Sequence, residues 1–503
     1  MLDAMMLENT DKRKLTLFRL LTLFSDKRYS IKFFESKLDY SYSRVVYLLE
    51  LIQQDLTDMT GKKVDLLTKN GVHHKQNITY DMYYQYLITQ SIPYKLLISL
   101  LYFPEDNLDR FCDKHYQSRT TVVRKSKLLI DYFKHFTIRV NISQLSLSGD
   151  ERIIRILFYN LIWMTTQGTN LPKIKRNPIT YDEVSKIVSP YFPDTFSYGA
   201  RKQISLMLDI VYLRIRKGNV LTEKTEIEPY ISVPEVYTIT HFGNLIKDPD
   251  ALAAEAQFAA FLLIASPNFF REGEHRLLLL DSYLEKHSNS ATKLLEEFTV
   301  FFRDKFMPIG FSWNNEVILF GNVANILFSH SIIQQRFPTL FHLTDNNIYS
   351  KNKYYYQLFT EFKALFQKIS NRKNYAWLKT NIDALSDTLS ALLVPLYESF
   401  LGNNLIRIAL VAESNYLLVE PLTQFIKDIP FVQLVAYKYG EFSSFDFMVT
   451  TSSFLIPEDC PLPSFVFRFS ADSDEQYLSL YQAIKDVHNQ KGSNLIQQKK
   501  TNI

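Results

Sequence analysis

Between Leu108 and Ser148 the hydrophobic and polar positions change their period twice, and the changes outline a helix-turn-helix followed by a wing. A short helix Leu108–His115 gives way to a tight turn through Tyr116 and Gln117, and Ser118 stands where a hydroxyl caps a new helix. That second helix runs to about Phe136. At 100° per residue Val122, Ser126, Leu129, Phe133 and Phe136 fall on one face, and Thr120, Arg124, Lys127 and Asp131 on the opposite one. One side packs and the other is left for a partner. Beyond the helix Ile138, Val140, Ile142, Leu145 and Leu147 alternate with polar residues up to Ser148-Gly149, as the two strands of a wing do.

A similar pattern precedes it. Lys12–Phe24 reads as a helix, Ser30 as the cap of a short helix to Lys37, and Ser43 as the cap of a longer one whose buried stripe is Val45, Leu48, Leu49, Ile52 and Leu56. Val64–Thr68, the turn Lys69-Asn70-Gly71 and Val72–Ile78 predict a second wing, because Asn-Gly favours a tight hairpin. The outward face of the longer helix carries Arg44 and Tyr47, but Glu50, Asp55 and Asp58 follow and repel phosphates. This module therefore ranks second as a reader of bases, suited to backbone contacts or to packing against its neighbour. His73 and His74 point to opposite faces of a strand, so a shared metal ion is not expected; with Lys75 they predict a wing contact to phosphate.

From about Gly168 to Phe400 the periodicity is that of long helices rich in Phe, Tyr and Leu: Tyr198–Lys217, Leu252–Ile264, Glu274–His287, Ala291–Phe306, Asn322–Arg336 and Tyr354–Ile369. Ser288-Asn289-Ser290 divides this region into two stretches of bundle size. The last hundred residues alternate apolar strands (Leu405–Val411, Val432–Tyr437, Phe445–Thr450, Phe465–Phe469) with helices (Asn415–Ile429, Asp474–Val487), which predicts a small α/β domain with a largely parallel sheet. The expected architecture is multidomain and mainly α: winged modules over 1–80 and 81–167, helical bundles over 168–287 and 288–402, and an α/β domain over 403–503.

Charge locates the expected partner. The chain of 503 residues has a formal charge of +4, yet residues 1–150 hold 22 Lys and Arg against 17 Asp and Glu, so the remainder is slightly negative. Residues 110–139 alone carry eight basic and two acidic side chains, a net of +6 for which DNA phosphates are the natural counter-charge. The helix after Ser118 is thus expected in the major groove of double-stranded DNA, with Arg119, Thr120 and Arg124 nearest the bases, Lys125 and Lys127 nearer phosphate, and Arg139 on the wing. The two cysteines, Cys112 and Cys460, form neither a disulfide framework nor a zinc site, which fits a reducing cytoplasm. The apolar run Leu15–Phe24 contains Arg19 and is too short to span a bilayer, so no membrane partner is expected.

The order of these parts resembles the Mga/AtxA regulators, transcriptional regulators of Gram-positive bacteria. The resemblance is carried by Tyr94–Trp163, with its SRTTVVRKSKLLIDYF helix and LSLSGDERIIRILFYNLIW link, and by FDFMVTTSSF near the C-terminus. It implies that the bundles are phosphotransferase-system regulation domains tuned by histidine phosphorylation through a phosphocarrier protein. It also implies that the C-terminal domain resembles the IIB component of sugar transporters and supports a homodimer. Two departures matter. The loop after the first C-terminal strand reads Val411-Ala412-Glu413-Ser414-Asn415, without the thiol a working IIB phosphocarrier needs, so the domain is expected to be an interaction module. The helix Ser197–Lys217 lacks a histidine. Of the bundle histidines His241, His275, His287, His330 and His342, the candidates for phosphorylation are His330 and His342 in the second bundle.

No Gly-rich phosphate loop, HExxH, CxxC or Gly-x-Ser-x-Gly elbow occurs, and neither an enzyme nor a cofactor is expected. The competing functions are an RNA-binding antiterminator, which would share the regulation domains but begin with a short β domain, and a soluble sugar-phosphotransferase component, which the missing thiol disfavours.

Overall fold

In the computed structural model the described residues are 1–24, 28–68, 71–74, 77–102, 107–166, 198–231, 245–265, 269–343, 352–401, 405–412, 415–437, 440–469 and 473–500. The expected features at Lys69-Asn70, Lys75, His241 and Glu413-Ser414 lie outside them, as does the side chain of His342. The chain is mainly helical and divides into two compact units. The first comprises Met1–Thr299, Trp313–Asn347 and Phe366–Thr388; the second comprises Val300–Ser312, Ile348–Leu365 and Leu389–Ile503.

The first unit opens with α1 (Leu2–Met6), α2 (Asn9–Leu23), α3 (Ile31–Leu38) and α4 (Tyr42–Thr60), followed by a small hairpin of β1 (Leu67–Thr68) and β2 (Gly71–Val72). The Ser30 hydroxyl caps α3 by accepting from the Phe33 amide. The cap of α4 is Ser41, and Ser43, expected in that role, lies within the first turn, its hydroxyl beside that of Ser41. Val45, Leu48, Leu49, Ile52 and Leu56 form the buried stripe as their spacing requires. The hairpin is shorter than its apolar runs suggest, and Tyr29 joins it as a third partner, exchanging backbone hydrogen bonds with Val72. Gly71 makes this possible: its φ of 112° and the approach of the Tyr29 carbonyl, 2.7 Å from where a Cβ would sit, exclude larger residues.

Two side chains of this module face inward against expectation. Asp55 does not lie on the outward surface of α4; it accepts from Lys14 at 2.8 Å and from the Tyr83 hydroxyl at 2.6 Å, joining α2, α4 and α5 (Tyr80–Gln90). His74 is buried, its ring edge-on to Phe18 and its Nε2 3.1 Å from the Ile78 carbonyl. It belongs to the core and does not face a phosphate backbone.

The second module consists of α5, α6 (Ile92–Tyr102), α7 (Leu108–His115), α8 (Arg119–His135), β3 (Arg139–Asn141), β4 (Ser146–Ser148) and α9 (Glu151–Thr166). Ile153, Ile154, Ile156, Leu157, Phe158, Leu161 and Ile162 bury α9 on nearly every side, as a helix apolar all round must be. Its few charges are paired. Arg155 reaches Glu151 on the preceding turn and Glu255 on the helix Pro249–Ile264, while Arg214 on the helix Tyr198–Arg216 makes two hydrogen bonds to Glu151. The last helix of the second module is thereby built into the helical region that follows. Within that region Asn289 accepts from the amides of Ala291 and Thr292 and starts the helix Ser290–Phe306, and the stretch Ser288–Ser290 lies inside the first unit. The helix Val317–Ile333 begins and ends earlier than its sequence pattern suggests, with Gln334 in the left-handed conformation at its end, so Arg336 lies beyond it.

In the second unit β5 (Ile406–Val411), β6 (Val432–Val435), β7 (Phe447–Thr450) and β8 (Ser464–Val466) form an all-parallel sheet in the order β6-β5-β7-β8. Ile406, Ile408, Phe447 and Val449 pack with Leu422 and Ile426 of the helix Tyr416–Lys427 and with Leu480 and Ile484 of the helix Ser473–Lys500. Cys460 is half-buried beside the cluster of Ala409, Phe445 and Met448 on the sheet, an ordinary packing position.

Candidate nucleic-acid interface

Local hydrogen bonds set the helix-turn-helix. Asn107 caps α7 by accepting from the Arg110 amide at 3.0 Å, and Tyr116 turns the chain with φ 52° while the Gln117 amide donates to the Cys112 carbonyl. Ser118 then starts α8, its hydroxyl accepting from the Thr121 amide at 3.2 Å. Val122, Ser126, Leu129 and Phe133 are buried, with α8 packed against α6, α7 and α1, and Phe133 meets Phe158 of α9. The outward face is fixed by what surrounds it.

That face presents Thr120, Arg124, Lys127, Asp131 and Lys134 to solvent. Among the described residues no ion pair engages Arg124, Lys127 or Arg139. Two other basic side chains of the helix are held. Arg119 makes a two-pronged ion pair with Asp109 of α7, and Lys125, mostly covered, is paired with Glu8 at 2.6 Å. The helix thus offers a narrower set of available cations than its sequence contains. Val123 and Leu128, 44% and 52% exposed, flank the basic residues. Sequence reasoning missed this apolar contribution, although a helical wheel places both at the edges of the polar face. Together these groups supply donors for phosphate and guanine, and apolar surface for a thymine methyl.

The wing is a short antiparallel hairpin in which Arg139 pairs with Ser148, Val140 with Leu147 and Asn141 with Ser146. Arg139 is exposed at its base, and the Ser143 carbonyl accepts from the Leu108 amide, tying the loop to the start of α7. Gly149 closes the hairpin with φ 146°; a Cβ there would lie 2.5 Å from the Ile138 side chain. In the first module Arg44 and Tyr47 are exposed on α4 and border a shallow depression with Arg13, Tyr40 and Ser43. The C-terminal end of α8 has a further contact: His135 Nε2 accepts from Arg336 Nη1 at 3.0 Å. Burial first and the nearby Arg336 charge second hold the His135 pKa below 6.5.

The histidine His330 is 2% exposed on the helix Val317–Ile333, its ring 4.5 Å from that of Phe337. Among the described residues no group of three or more His, Cys, Asp or Glu is placed to hold a metal ion, and no helix is long and apolar enough to cross a membrane.

Tight turn, capped second helix and hairpin define residues 107–148 as a winged helix-turn-helix. Residues 76–162 match the family model of the Mga helix-turn-helix domain, a finding consistent with a regulator of the Mga/AtxA family. No curated protein matches the chain.

Proposed function

We propose that the protein is a cytoplasmic, DNA-binding transcriptional regulator of the Mga/AtxA type, with α8 in the major groove and the β3–β4 wing against the backbone. The observation that carries this reading is the outward face of α8, where Arg124 and Lys127 stand without a protein counter-charge inside a segment that matches the Mga helix-turn-helix domain. A gel shift tests it: duplex fragments of chromosomal DNA are retained with a specific preference that competitor RNA hairpins do not remove. Retention of the RNA alone would favour the antiterminator reading.

The regulator acts as a homodimer held by its C-terminal α/β domain, so that two half-sites are engaged at once. Supporting this are the large apolar side chains exposed in the second unit, with Leu417 83%, Phe454 96% and Leu478 70% accessible. Truncation near residue 402 then lowers both self-association in sedimentation and affinity for DNA. The α/β domain carries no phosphoryl group, because its first loop lacks a thiol.

Control comes from carbohydrate phosphotransferase signalling through the regulation-type helical domains, with phosphorylation of His330 or His342 by a phosphocarrier protein. Burial of His330 imposes a condition: the phosphocarrier reaches it only when the Phe337 segment opens, and the added charge then keeps the segment from closing. Incubation with phosphocarrier components and labelled phosphoenolpyruvate should leave acid-labile phosphate on one of these residues; no label on either removes the phosphorelay from the reading.

A further inference from the structure

Within the first unit a cavity of about 300 Å³ lies between α9, the helices Tyr198–Arg216 and Val317–Ile333, the end of the helix Pro249–Ile264 and the segment Phe337–Phe341. Its walls are mainly apolar, with Ile156, Ile204, Leu262, Ile326 and Phe337 contributing. Polar side chains interrupt them: the amides of Asn160 and Gln203, the His330 imidazole, and the hydroxyl-bearing Tyr159, Ser329, Thr339 and Thr388. Among the described lining residues there is no Lys, Arg, Asp or Glu.

We propose that this cavity is an effector site for a small, uncharged, largely apolar molecule carrying one or two hydrogen-bonding groups. Size sets the upper bound. An apolar cavity of roughly 150 Å³ accepts benzene, so this one holds on the order of a dozen non-hydrogen atoms. Charge sets the class, because an ionised ligand would lose its hydration with no counter-charge to receive it. The side-chain amides and the imidazole orient a neutral hydroxyl or amide without that penalty.

The position of the cavity gives binding a consequence. Its Phe337–Phe341 wall follows directly on Gln335, which donates to Asp150 at 2.8 Å, and on Arg336, which donates to His135 at the end of α8. Asn160 of α9, itself a lining residue, donates to the Pro338 carbonyl at 2.8 Å. A molecule seated between α9 and this segment therefore bears on the residues that hold the segment to the second module. A ligand that favours one position of the segment over another shifts the setting of α8 by at most that difference in binding free energy. The effect on DNA rests on the functional reading above; occupancy of the cavity does not.

Calorimetric titration of the full chain with naphthol, and with naphthoate as its charged counterpart, tests the site. Naphthol is expected to bind and naphthoate to bind at least about tenfold more weakly. Met207→Trp, which fills the cavity from a half-buried wall position, should abolish naphthol binding while the thermal melt is retained. Phe270, 74% exposed, borders the cavity, so Phe270→Ala leaves the core intact and should weaken binding several-fold even if the tryptophan variant does not fold. No naphthol binding by the unaltered chain, or unchanged binding by both variants, overturns the site. In a gel shift naphthol should change the affinity for duplex DNA by at least about threefold, and Arg336→Ala should remove the change while binding naphthol as before. Naphthol binding with no change in DNA affinity overturns the effector role. Failure to bind any DNA strikes the functional reading instead, while the calorimetry still decides the cavity.

Discussion

Arg155 of α9 and Glu255 of the helix Pro249–Ile264, a hundred residues apart in sequence, form a buried two-pronged ion pair with N–O distances of 2.5 and 2.9 Å. Each group has further partners: Arg155 donates to Glu151 and to the Asn219 carbonyl, and Glu255 accepts from the Leu221 amide. Removing one partner strands the other charge in the interior. Arg155→Leu and Glu255→Leu should each destabilise the chain by about 3–5 kcal/mol, and the double variant by clearly less than the two together. Urea denaturation checks this. Additive losses would mean that the two side chains are not coupled.

Arg124 and Arg119 both lie on α8, with different freedom. Arg124→Ala should lower affinity for a preferred DNA site by about 1–3 kcal/mol and alter sequence preference if its guanidinium reads a base. Arg119→Ala should do less, because Asp109 already holds that guanidinium. Gel shifts at one fixed salt concentration compare the two, and equal losses would contradict the division of roles.

Glu8 neutralises Lys125 from outside the helix-turn-helix. Glu8→Gln should release the ammonium toward phosphate, raise affinity at low salt and steepen the dependence of log K on log salt by up to about 0.9. Unchanged affinity and slope would show that Lys125 does not reach the DNA.

His135 gives the contact with Arg336 a pH dependence. Its folded-state pKa is depressed by burial and, secondarily, by Arg336. The folded form thus binds fewer protons than the unfolded one, and its stability rises with pH. The contribution is fully present above the unperturbed value of 6.5 and is lost as pH falls through the folded-state pKa. Thermal melts between roughly pH 7.5 and roughly pH 5.5 should show a smaller decline for His135→Gln than for the unaltered chain. Identical declines would sink the assignment.

Local interactions made much of the second module legible. The Ser118 cap, the buried stripe of α8 and the alternation of the wing each depend on residues a few positions apart, and the periodicity of Leu405–Thr450 announced the strands of a sheet. What escaped depends on groups distant in sequence. The pairs Arg119–Asp109 and Lys125–Glu8 remove two cations that a helical wheel shows as available, and Asp55 turns inward because Lys14 and Tyr83 are there to meet it. His74 reads as a wing residue until Phe18 and the Ile78 carbonyl are placed around it. The identity of α4's cap was missed for a smaller reason: Ser41 and Ser43 are both suitable, and only the backbone chooses between them.

The first helix, α1, contributes Leu2, Met5 and Met6 to an apolar seat formed by α6, α8 and α9 of the second module. During synthesis that seat does not exist until the chain has been made as far as α9, so α1 waits for residues made later. The two modules cannot mature as successive beads on a string. Helix α1 finishes folding only by closing over α6, α8 and α9, and an isolated fragment ending before α6 would leave three large apolar side chains without a home, prone to seek them on other chains.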